Sequence, residues 1–330
     1  MRLSTTPRGA FHAPSIVLVF VGLFLLAIPA SASRGDRLPE FQECVERCVS
    51  IECPATLPLH LRLTFWTCPQ NCDYVCQQSI TAERIRDGLP VEQFHGKWPF
   101  RRLLGVQEPF SVLFSILNGY AHYTGLRYIS LHLPHDYPMV HWYRLFAYFG
   151  LMCWFWSAVF HTRDFVFTER MDYFGAGANV LYGLYYAPIR LFRLYKPTHQ
   201  KTLSLWKGTC IAAYIAHVYF LQFIRWDYTY NMAANVVVGT LSNVLWSWYS
   251  FKNYADSKKG GNWWKIWPGL IVTWLVAAMS LELLDFPPVF GLDAHALWHA
   301  ATIAPTVWWY WFLVRDAGAD EGRGEKLLTK

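Results

Sequence analysis

Long apolar segments alternate with short polar ones over the last two thirds of the chain. Seven segments with few charged residues follow a polar region that ends near residue 107. They cover about 109–126, 140–160, 173–192, 207–225, 232–250, 263–281 and 296–314. Most of them approach the ~20 residues that a helix needs to cross a bilayer. The first is the weakest, because Asn118, Gly119 and His122 interrupt it. The pattern predicts an all-α membrane protein built as a seven-transmembrane helix bundle.

The composition agrees with a membrane protein. Hydrophobic residues make up 54% of the 330 residues, and charged residues only 16%. Soluble domains carry about 25% charged residues. The 17 Trp and 19 Tyr suit the aromatic belts that form at membrane–water interfaces. The net charge of +6 does not indicate nucleic-acid binding, because no basic run interleaves with exposed aromatic residues.

Residues 1–32 have the pattern of a secretory signal peptide. Arg2 and Arg8 provide a basic start, a 14-residue apolar core follows, and Ala30 and Ala32 offer small residues at a cleavage site. The apolar core is short for a membrane span. An uncleaved anchor helix is the alternative interpretation of the same residues.

Six of the eight cysteines cluster in a region that we expect to be lumenal, residues 33–107. They are Cys44, Cys48, Cys53, Cys68, Cys72 and Cys76. After a signal peptide, such a cluster predicts three disulfides in an oxidising compartment, with a pairing that the sequence does not determine. A zinc site is the alternative, because the last three are four residues apart. Cys153 and Cys210 lie in apolar segments and are expected to be inert buried thiols.

The positive charges predict the orientation of the seven spans. If the cysteine-rich region is lumenal, the loops after spans 3 and 5 face the cytosol, and they carry most of the loop lysines and arginines. These are Arg190, Arg193, Lys196, Lys201 and Lys207 in the first loop and Lys252, Lys258, Lys259 and Lys265 in the second. The positive-inside rule therefore predicts a span region at 108–315 and a cytosolic tail at 316–330.

Three histidines are expected at the lumenal ends of the predicted spans. His295 and His299 are one helical turn apart at the start of span 7, and His161 ends span 2, one turn after Ser157. Asp172 precedes span 3. Ionisable groups at membrane depth are costly and usually functional. Three imidazoles with one open position suit a catalytic zinc ion, although other divalent ions also bind imidazole.

The same residues suggest a hydrolysis mechanism. Zinc bound by the three histidines activates water, and Asp172 is expected to accept its proton and pass one to the leaving group. Ser157 is expected to orient the water or to donate to the developing oxyanion. Asp227, Asn231 and Asn235 start span 5 on the same side, and we expect them to support the site without taking part in the reaction.

Several motifs resemble those of a known group of membrane hydrolases. Ser157 and His161 within SAVFHTRD, Asp172, and the two histidines of DAHALWH resemble the CREST superfamily of seven-span metal-dependent hydrolases. Four further features resemble the post-GPI-attachment-to-proteins factor three family of GPI-lipid remodelling phospholipases. They are the cysteine cluster and the stretches FHGKWPF, QEPFSVLFSILN and DYTYNMAANVVVG. None of the five candidate site residues departs from the superfamily pattern.

The resemblance implies a function and a location. It implies removal of the sn-2 acyl chain from the inositol phospholipid of GPI-anchored proteins, with GPI-anchored proteins and phospholipid as substrates. It implies the endoplasmic reticulum membrane, or alternatively the Golgi membrane. The tail ends in EKLLTK, whose lysines are at the wrong positions for a dilysine retrieval signal. A ceramidase-like amide hydrolase, and a receptor or scaffold with a structural metal, are the alternative functions.

Overall fold

A computed structural model describes residues 33–53 and 56–320 of the protein. Over these residues the fold is all-helical, and β-bridges occur only at three tight turns. The α-helices are α1 (Pro39–Glu52), α2 (Leu59–Leu63), α3 (Cys68–Arg86), α4 (Pro109–His132), α5 (Val140–Thr162), α6 (Val166–Leu191), α7 (Gln200–Tyr219), α8 (Tyr228–Lys252), α9 (Tyr254–Ser257), α10 (Trp267–Leu284) and α11 (Ala294–Asp320). The predicted signal peptide, at 1–32, and the last ten residues of the predicted tail lie outside the described residues.

Seven long helices form the main body, in the order that the seven apolar segments predict. Six of them close a ring, in which α4 packs on α5, then α6, α8, α10 and α11 follow, and α11 returns to α4. Helix α7 packs against α6 on the outside of this ring. The helix that corresponds to the third apolar segment begins at Val166, seven residues before the predicted start, so Asp172 lies inside α6.

Helix α4 has a polar face turned towards its neighbours and an apolar face turned outwards. Its buried residues include Ser111, Ser115, Asn118, His122 and Gly125. Its exposed residues include Phe110, Leu113, Ile116, Leu117 and Tyr120. A helix of a water-soluble bundle has the opposite arrangement, with its apolar stripe towards the core.

Two segments of the described chain are long and apolar enough to cross a membrane by those criteria alone: Val140–Thr162 and Trp263–Leu284. Polar side chains lower the hydropathy of other long helices. Asn118 and His122 lie within α4, and His295 and His299 lie within α11. The all-helical class predicted from the sequence is confirmed, whereas the seven-span architecture stays a prediction.

The cysteine-rich region is a helical hairpin held by three disulfides. Helices α1 and α3 run antiparallel, and the bridges join Cys44 to Cys76, Cys48 to Cys72 and Cys53 to Cys68. The prediction of three disulfides is confirmed. The three cysteines of the alternative zinc interpretation belong to three different bridges. Cys153 and Cys210 are free and buried, as expected.

The largest hydrophobic cluster occupies the end of the bundle that lies away from the histidines. It contains Tyr143 of α5, Tyr186 of α6 and Tyr310 of α11. His161 lies at the last turn of α5, and His295 and His299 lie in the first turns of α11. The apolar packing therefore leaves the other end of the ring to the polar residues of the candidate site.

Backbone contacts attach the polar N-terminal region to that end of the bundle. The amide of Gln107 donates to the carbonyl of Thr162 at 3.0 Å, and the amide of Glu108 donates to the carbonyl of His161 at 3.0 Å. These bonds satisfy carbonyls that the C-terminus of α5 otherwise leaves without helical partners. Asp285, at the end of α10, accepts bonds from Gln93 and from the indole of Trp98 at 2.8 Å each.

Candidate metal centre

Three imidazoles meet where the last turn of α5 faces the first turns of α11. One ligand atom each from His161, His295 and His299 lies within 4.8 Å of the other two. The ring centroids are 5.1, 5.1 and 4.5 Å apart. The three residues come from two helices that are more than 130 residues apart in the chain, and the structure brings them together as their spacing predicts.

The two closest imidazole nitrogens have the separation expected of metal ligands. Nε2 of His161 and Nε2 of His295 are 3.3 Å apart. Two ligands at the ~2.0–2.1 Å of a zinc–nitrogen bond and at a tetrahedral angle lie about 3.4 Å apart. The donor set therefore fits a divalent ion of this size.

Two carboxylates hold the opposite edges of these imidazoles. Oε2 of Glu108 lies 2.7 Å from Nδ1 of His161, and Oε2 of Glu282 lies 2.7 Å from Nδ1 of His295. A carboxylate that accepts from Nδ1 keeps the proton on that nitrogen and leaves the lone pair of Nε2 free. Metal-binding histidines almost always have such an outer partner, which fixes the ring and its tautomer.

The third imidazole is held by serines of α4. Nδ1 of His299 lies 3.2 Å from Oγ of Ser115, whose hydroxyl donates to the Ser111 carbonyl at 2.7 Å. Oγ of Ser157 lies 3.0 Å from Oγ of Ser115. Since the Ser115 proton is directed at the Ser111 carbonyl, Ser157 donates to Ser115. Asn118 donates to the His299 carbonyl at 2.8 Å and anchors that turn of α11.

Lys97 compensates the charge of Glu108. Its Nζ lies 2.7 Å from Oε1 of Glu108 and 2.8 Å from Oδ2 of Asp164. Although burial opposes both charges, Lys97 and His161 lower the pKa of Glu108. Burial also disfavours the positive charge of Lys97, but Glu108 and Asp164 outweigh it and raise the pKa of Lys97. Glu108 therefore stays a carboxylate, able to hold His161, over the ordinary pH range.

Asp172 lies beside the imidazoles without being part of their hydrogen-bond network. It interacts electrostatically with His161 and His295. Among the described residues, no side chain or backbone group donates a hydrogen bond to its carboxylate, and its oxygens lie outside the group of three ligand atoms. The role of Asp172 as a base near the metal stays a prediction.

The three polar residues at the start of α8 lie apart from the imidazoles. Asp227 caps the helix by accepting from the Tyr230 amide at 3.0 Å. Asn235 donates to the Asn231 carbonyl at 2.9 Å, and its Oδ1 faces Gly177 of α6. In the part of the chain that the structure covers, no hydrogen bond or ion pair joins these residues to the three histidines. These residues make local contacts at α6 and α8, and their supporting role stays a prediction.

Sequence reasoning missed the residues that orient the imidazoles. Glu282 had a signal, because it directly follows the sixth apolar segment, on the side of the membrane predicted for His295. Ser115 belongs to the polar stripe of α4, which interrupts the weakest predicted span. Glu108 directly precedes Pro109 at the start of that span, and nothing local to it points to His161, 53 residues away.

Known proteins are similar to this chain over most of its length. The sequence profile described as the Per1-like family matches residues 58–317. A relative in Schizosaccharomyces pombe, Protein PER1 homolog, is 43% identical over 320 residues, which cover 94% of this chain and 95% of the relative. The GPI-specific phospholipase A2-like PGAP3 of Danio rerio is 40% identical and covers 89% of this chain and 93% of itself. The human protein of the same name is 38% identical and covers 87% of this chain and 90% of itself.

No solved structure matches the chain. The matched residues, 58–317, include the three histidines, their partners Glu108, Ser115 and Glu282, and Asp172. The resemblance drawn from the short motifs is thereby confirmed at the level of the whole chain. The protein belongs to the Per1-like family, which relates it to the GPI-specific phospholipase A2-like PGAP3 proteins.

Proposed function

We propose that the chain is a seven-span membrane hydrolase with its metal site at the lumenal edge of the bilayer. The outward apolar face and the inward polar face of α4 support a lipid environment, where polar groups must be satisfied within the bundle. The disulfides support a lumenal N-terminal region in an oxidising compartment. The loops between α6 and α7 and between α8 and α10, with their basic residues, then face the cytosol, as does the C-terminus.

The proposed metal is zinc, with His161, His295 and His299 as its protein ligands. The single observation that carries this assignment is the pattern of partners. Each Nδ1 is engaged, by Glu108, Glu282 or Ser115, while Nε2 of His161 and of His295 converge. When bound, zinc supplies an activated water and polarises the carbonyl that is attacked.

Asp172 is proposed as the general base and acid. Its carboxylate accepts a proton from the attacking water and returns one to the departing alcohol oxygen as the ester C–O bond breaks. The products are a fatty acid and a lysolipid. The absence of hydrogen-bond donors to Asp172 among the described residues supports this role, because its oxygens stay available to the water.

Ser157 is proposed to orient that water. Its hydroxyl donates to Ser115, so its lone pairs remain free to accept a hydrogen bond. A covalent seryl intermediate is disfavoured, because all three histidines are assigned to the metal and none is left to act as a base for Ser157.

The proposed substrate is the lipid of a GPI-anchored protein, from which the sn-2 acyl chain is removed in the endoplasmic reticulum or the Golgi. The relatives named GPI-specific phospholipase A2-like support this substrate class. A cavity of about 710 Å³ also supports it. Glu108, Ser111 and Ala296 border the cavity on the side of the imidazoles, and Phe110 and Phe290 line it with apolar surface.

The test is metal analysis and fatty-acid release from a GPI lipid, measured on the same purified protein. We expect about one zinc ion per chain and release of the sn-2 acyl chain. Release of a fatty acid from ceramide in place of the GPI lipid would support the ceramidase-like alternative. A His295→Ala variant that stayed folded and kept full activity would reduce the site to a structural metal and overturn the enzyme assignment.

A further inference from the structure

A second cavity, of about 490 Å³, lies between the cysteine-rich hairpin and the end of α5. Aromatic side chains and two arginines line it: Trp66, Tyr74, Trp98, Arg102 and Arg163. At the tight turn Leu104–Gly105, the Gly105 carbonyl accepts from the Trp66 indole at 2.8 Å. Gly105 has φ +90° and lies against Thr64, so a larger residue does not fit there. Trp66 therefore has a fixed position in the cavity wall.

The two guanidinium groups stack on the same indole. Cζ of Arg102 lies 4.3 Å from the Trp66 ring centroid and 3.6 Å from the Tyr74 centroid. Cζ of Arg163 lies 3.9 Å from the Trp66 centroid. Each arginine has one amide partner in the hairpin, which is Asn71 for Arg102 and Gln70 for Arg163. These contacts fix both cations at the cavity.

Neither guanidinium forms an ion pair with a carboxylate of the described residues, although Nη1 of Arg163 donates to the backbone carbonyl of Asp164 at 2.9 Å. Within the described chain, no carboxylate oxygen lies within 4.0 Å of a nitrogen of Arg102 or Arg163. Nε and Nη1 of Arg102 and Nε of Arg163 have no hydrogen-bond acceptor. The two acids of the cavity wall are already engaged, Asp73 by His95 at 2.8 Å and Asp164 by Lys97 at 2.8 Å.

This arrangement leaves two buried or partly buried guanidinium groups without an ion-pair partner in the part of the chain that the structure describes. Burial lowers the pKa of Arg102, and the nearby Arg163 guanidinium contributes to the same effect. Burying a charge without a partner is costly, and an anion between the two groups removes much of that cost. Guanidinium groups bind phosphate and carboxylate oxygens with paired donors, and phosphate is the one of these two that a phospholipid head group always carries.

A short chain of contacts connects this cavity to the metal centre. Lys97 lines the cavity, and its Nζ lies 2.7 Å from Glu108, whose other oxygen lies 2.7 Å from His161. The cavity wall and the imidazoles thus share the Lys97–Glu108 ion pair. In a phospholipid the head-group phosphate and the sn-2 ester are likewise joined through the same glycerol.

We infer that this cavity binds the phosphoinositol head group of the lipid substrate, with the phosphate on Arg102 and Arg163 and the sugar rings against the aromatic walls. This inference rests on the proposed function, because it assigns the head-group end of the lipid whose ester is cut. It also gives the cysteine-rich hairpin a role in substrate binding, since Trp66, Tyr74 and both amide partners of the arginines belong to it.

The test is calorimetric titration of the purified protein with inositol 1-phosphate, with myo-inositol and with inorganic phosphate. Inositol 1-phosphate is expected to bind more tightly than either of the other two. Arg102→Gln should weaken its binding about 10- to 100-fold, the value of a hydrogen bond to a charged group. Arg86→Gln is the matched control, because Arg86 is an exposed arginine of α3 outside the cavity, and it should leave binding unchanged.

A second variant tests the positive charge of the cavity while leaving both arginines stacked on Trp66. Gln107 lines the cavity, and its Oε1 accepts from the Asp164 amide at 3.2 Å. Gln107→Glu keeps that acceptor and both arginines but adds a negative charge, so it should also weaken inositol 1-phosphate binding. Unchanged binding in both Arg102→Gln and Gln107→Glu would overturn the inference. Equal affinity for inorganic phosphate would assign the cavity to free phosphate and overturn it as well.

Hydrolysis of a GPI lipid by the same variants distinguishes this inference from the proposed function. If the wild-type protein hydrolyses the GPI lipid and Arg102→Gln keeps both its KM and its affinity for inositol 1-phosphate, the head-group inference is wrong and the proposed function stands. Arginine-dependent binding in a protein that hydrolyses no GPI lipid would count against the hydrolase and leave the binding site in place. A raised KM with an unchanged metal content is the result expected of Arg102→Gln.

Discussion

Glu108 holds His161 by a 2.7 Å contact between Oε2 and Nδ1, across 53 residues of sequence. Two backbone bonds at the same place join the start of α4 to the end of α5, so the carboxylate and the imidazole are fixed by the same contact. Lys97 pairs with the other oxygen of Glu108. The position of His161 is thus set by Glu108, which lies outside the SAVFHTRD stretch that contains His161.

Removing this carboxylate should weaken metal binding. Glu108→Gln keeps the size of the side chain but leaves Lys97 without its partner and makes His161 a poorer ligand. We expect metal affinity to fall about 10- to 100-fold, the usual effect of losing an outer-sphere partner. Zinc titration against a competing chelator measures it. Glu83→Gln, an exposed site on α3, should behave as wild type. Full affinity in Glu108→Gln would contradict the proposed role.

Variants of the three histidines and of Asp172 should distinguish metal binding from proton transfer. His161→Ala, His295→Ala and His299→Ala should each lose metal and activity together. Asp172→Asn should keep its metal and lose about 10²–10⁴ in rate, the typical contribution of general acid–base catalysis. Metal stoichiometry and ester hydrolysis are measured on the same preparations. If Asp172→Asn lost its metal as completely as His295→Ala, Asp172 would be a ligand.

Variants of Ser115 and Ser157 should have different effects, although the two hydroxyls are only 3.0 Å apart. Ser115→Ala removes the nearer of the two acceptors at Nδ1 of His299, leaving the Ser111 carbonyl at 3.4 Å, and should lower metal affinity. Ser157→Ala should keep the metal and lose about 10²–10³ in rate, the range for one group that positions or stabilises the reacting oxygens. Ser280→Ala, an exposed serine of α10, is the control. Equal metal loss in both variants would show that Ser157 acts only through Ser115.

The six hairpin cysteines should be inaccessible to alkylation without reduction. Mass spectrometry should find labels only on Cys153 and Cys210 after denaturation, and peptides cross-linked in the three pairs of the structure. Cys68→Ser should lower stability by about 2–5 kcal/mol, so the abundance of the protein falls more than the specific activity of what remains. Cys210→Ser, at an unbridged position, is the comparison. A chelator-sensitive hairpin with free thiols would favour the zinc alternative.

Asn235 should contribute to helix packing and not to the reaction. Asn235→Ala removes its bond to the Asn231 carbonyl, and an interhelical or local polar contact of this kind in a membrane is worth about 0.6–2 kcal/mol. We expect a small loss of thermal stability with turnover unchanged. Abolished turnover at normal metal content and abundance would place Asn235 in the reaction centre.

Periodicity and spacing were sufficient for the elements and for part of the site. The seven apolar segments correspond in order to the seven long helices. A helix is the structure in which a long apolar run makes its backbone hydrogen bonds within itself. The four-residue spacing of His295 and His299 predicted a shared helical face, and both rings reach the same centre. The boundaries of these helices were predicted less accurately than their order. Helix α6 begins at Val166 because Thr168 and the Phe165 backbone form a capping interaction that precedes the apolar run.

The sequence by itself determined the all-helical class, the disulfide-bonded N-terminal region and the candidate ligands, because each depends on residue types at short and regular spacing. Only the tertiary structure decided which cysteines pair, which carboxylate serves which imidazole, and that Ser157 reaches His299 through Ser115. The arginine-lined cavity likewise exists only because the hairpin folds back on the end of α5. These relationships join residues tens to nearly two hundred positions apart, and such pairs are selected by how helices pack, which no local pattern encodes.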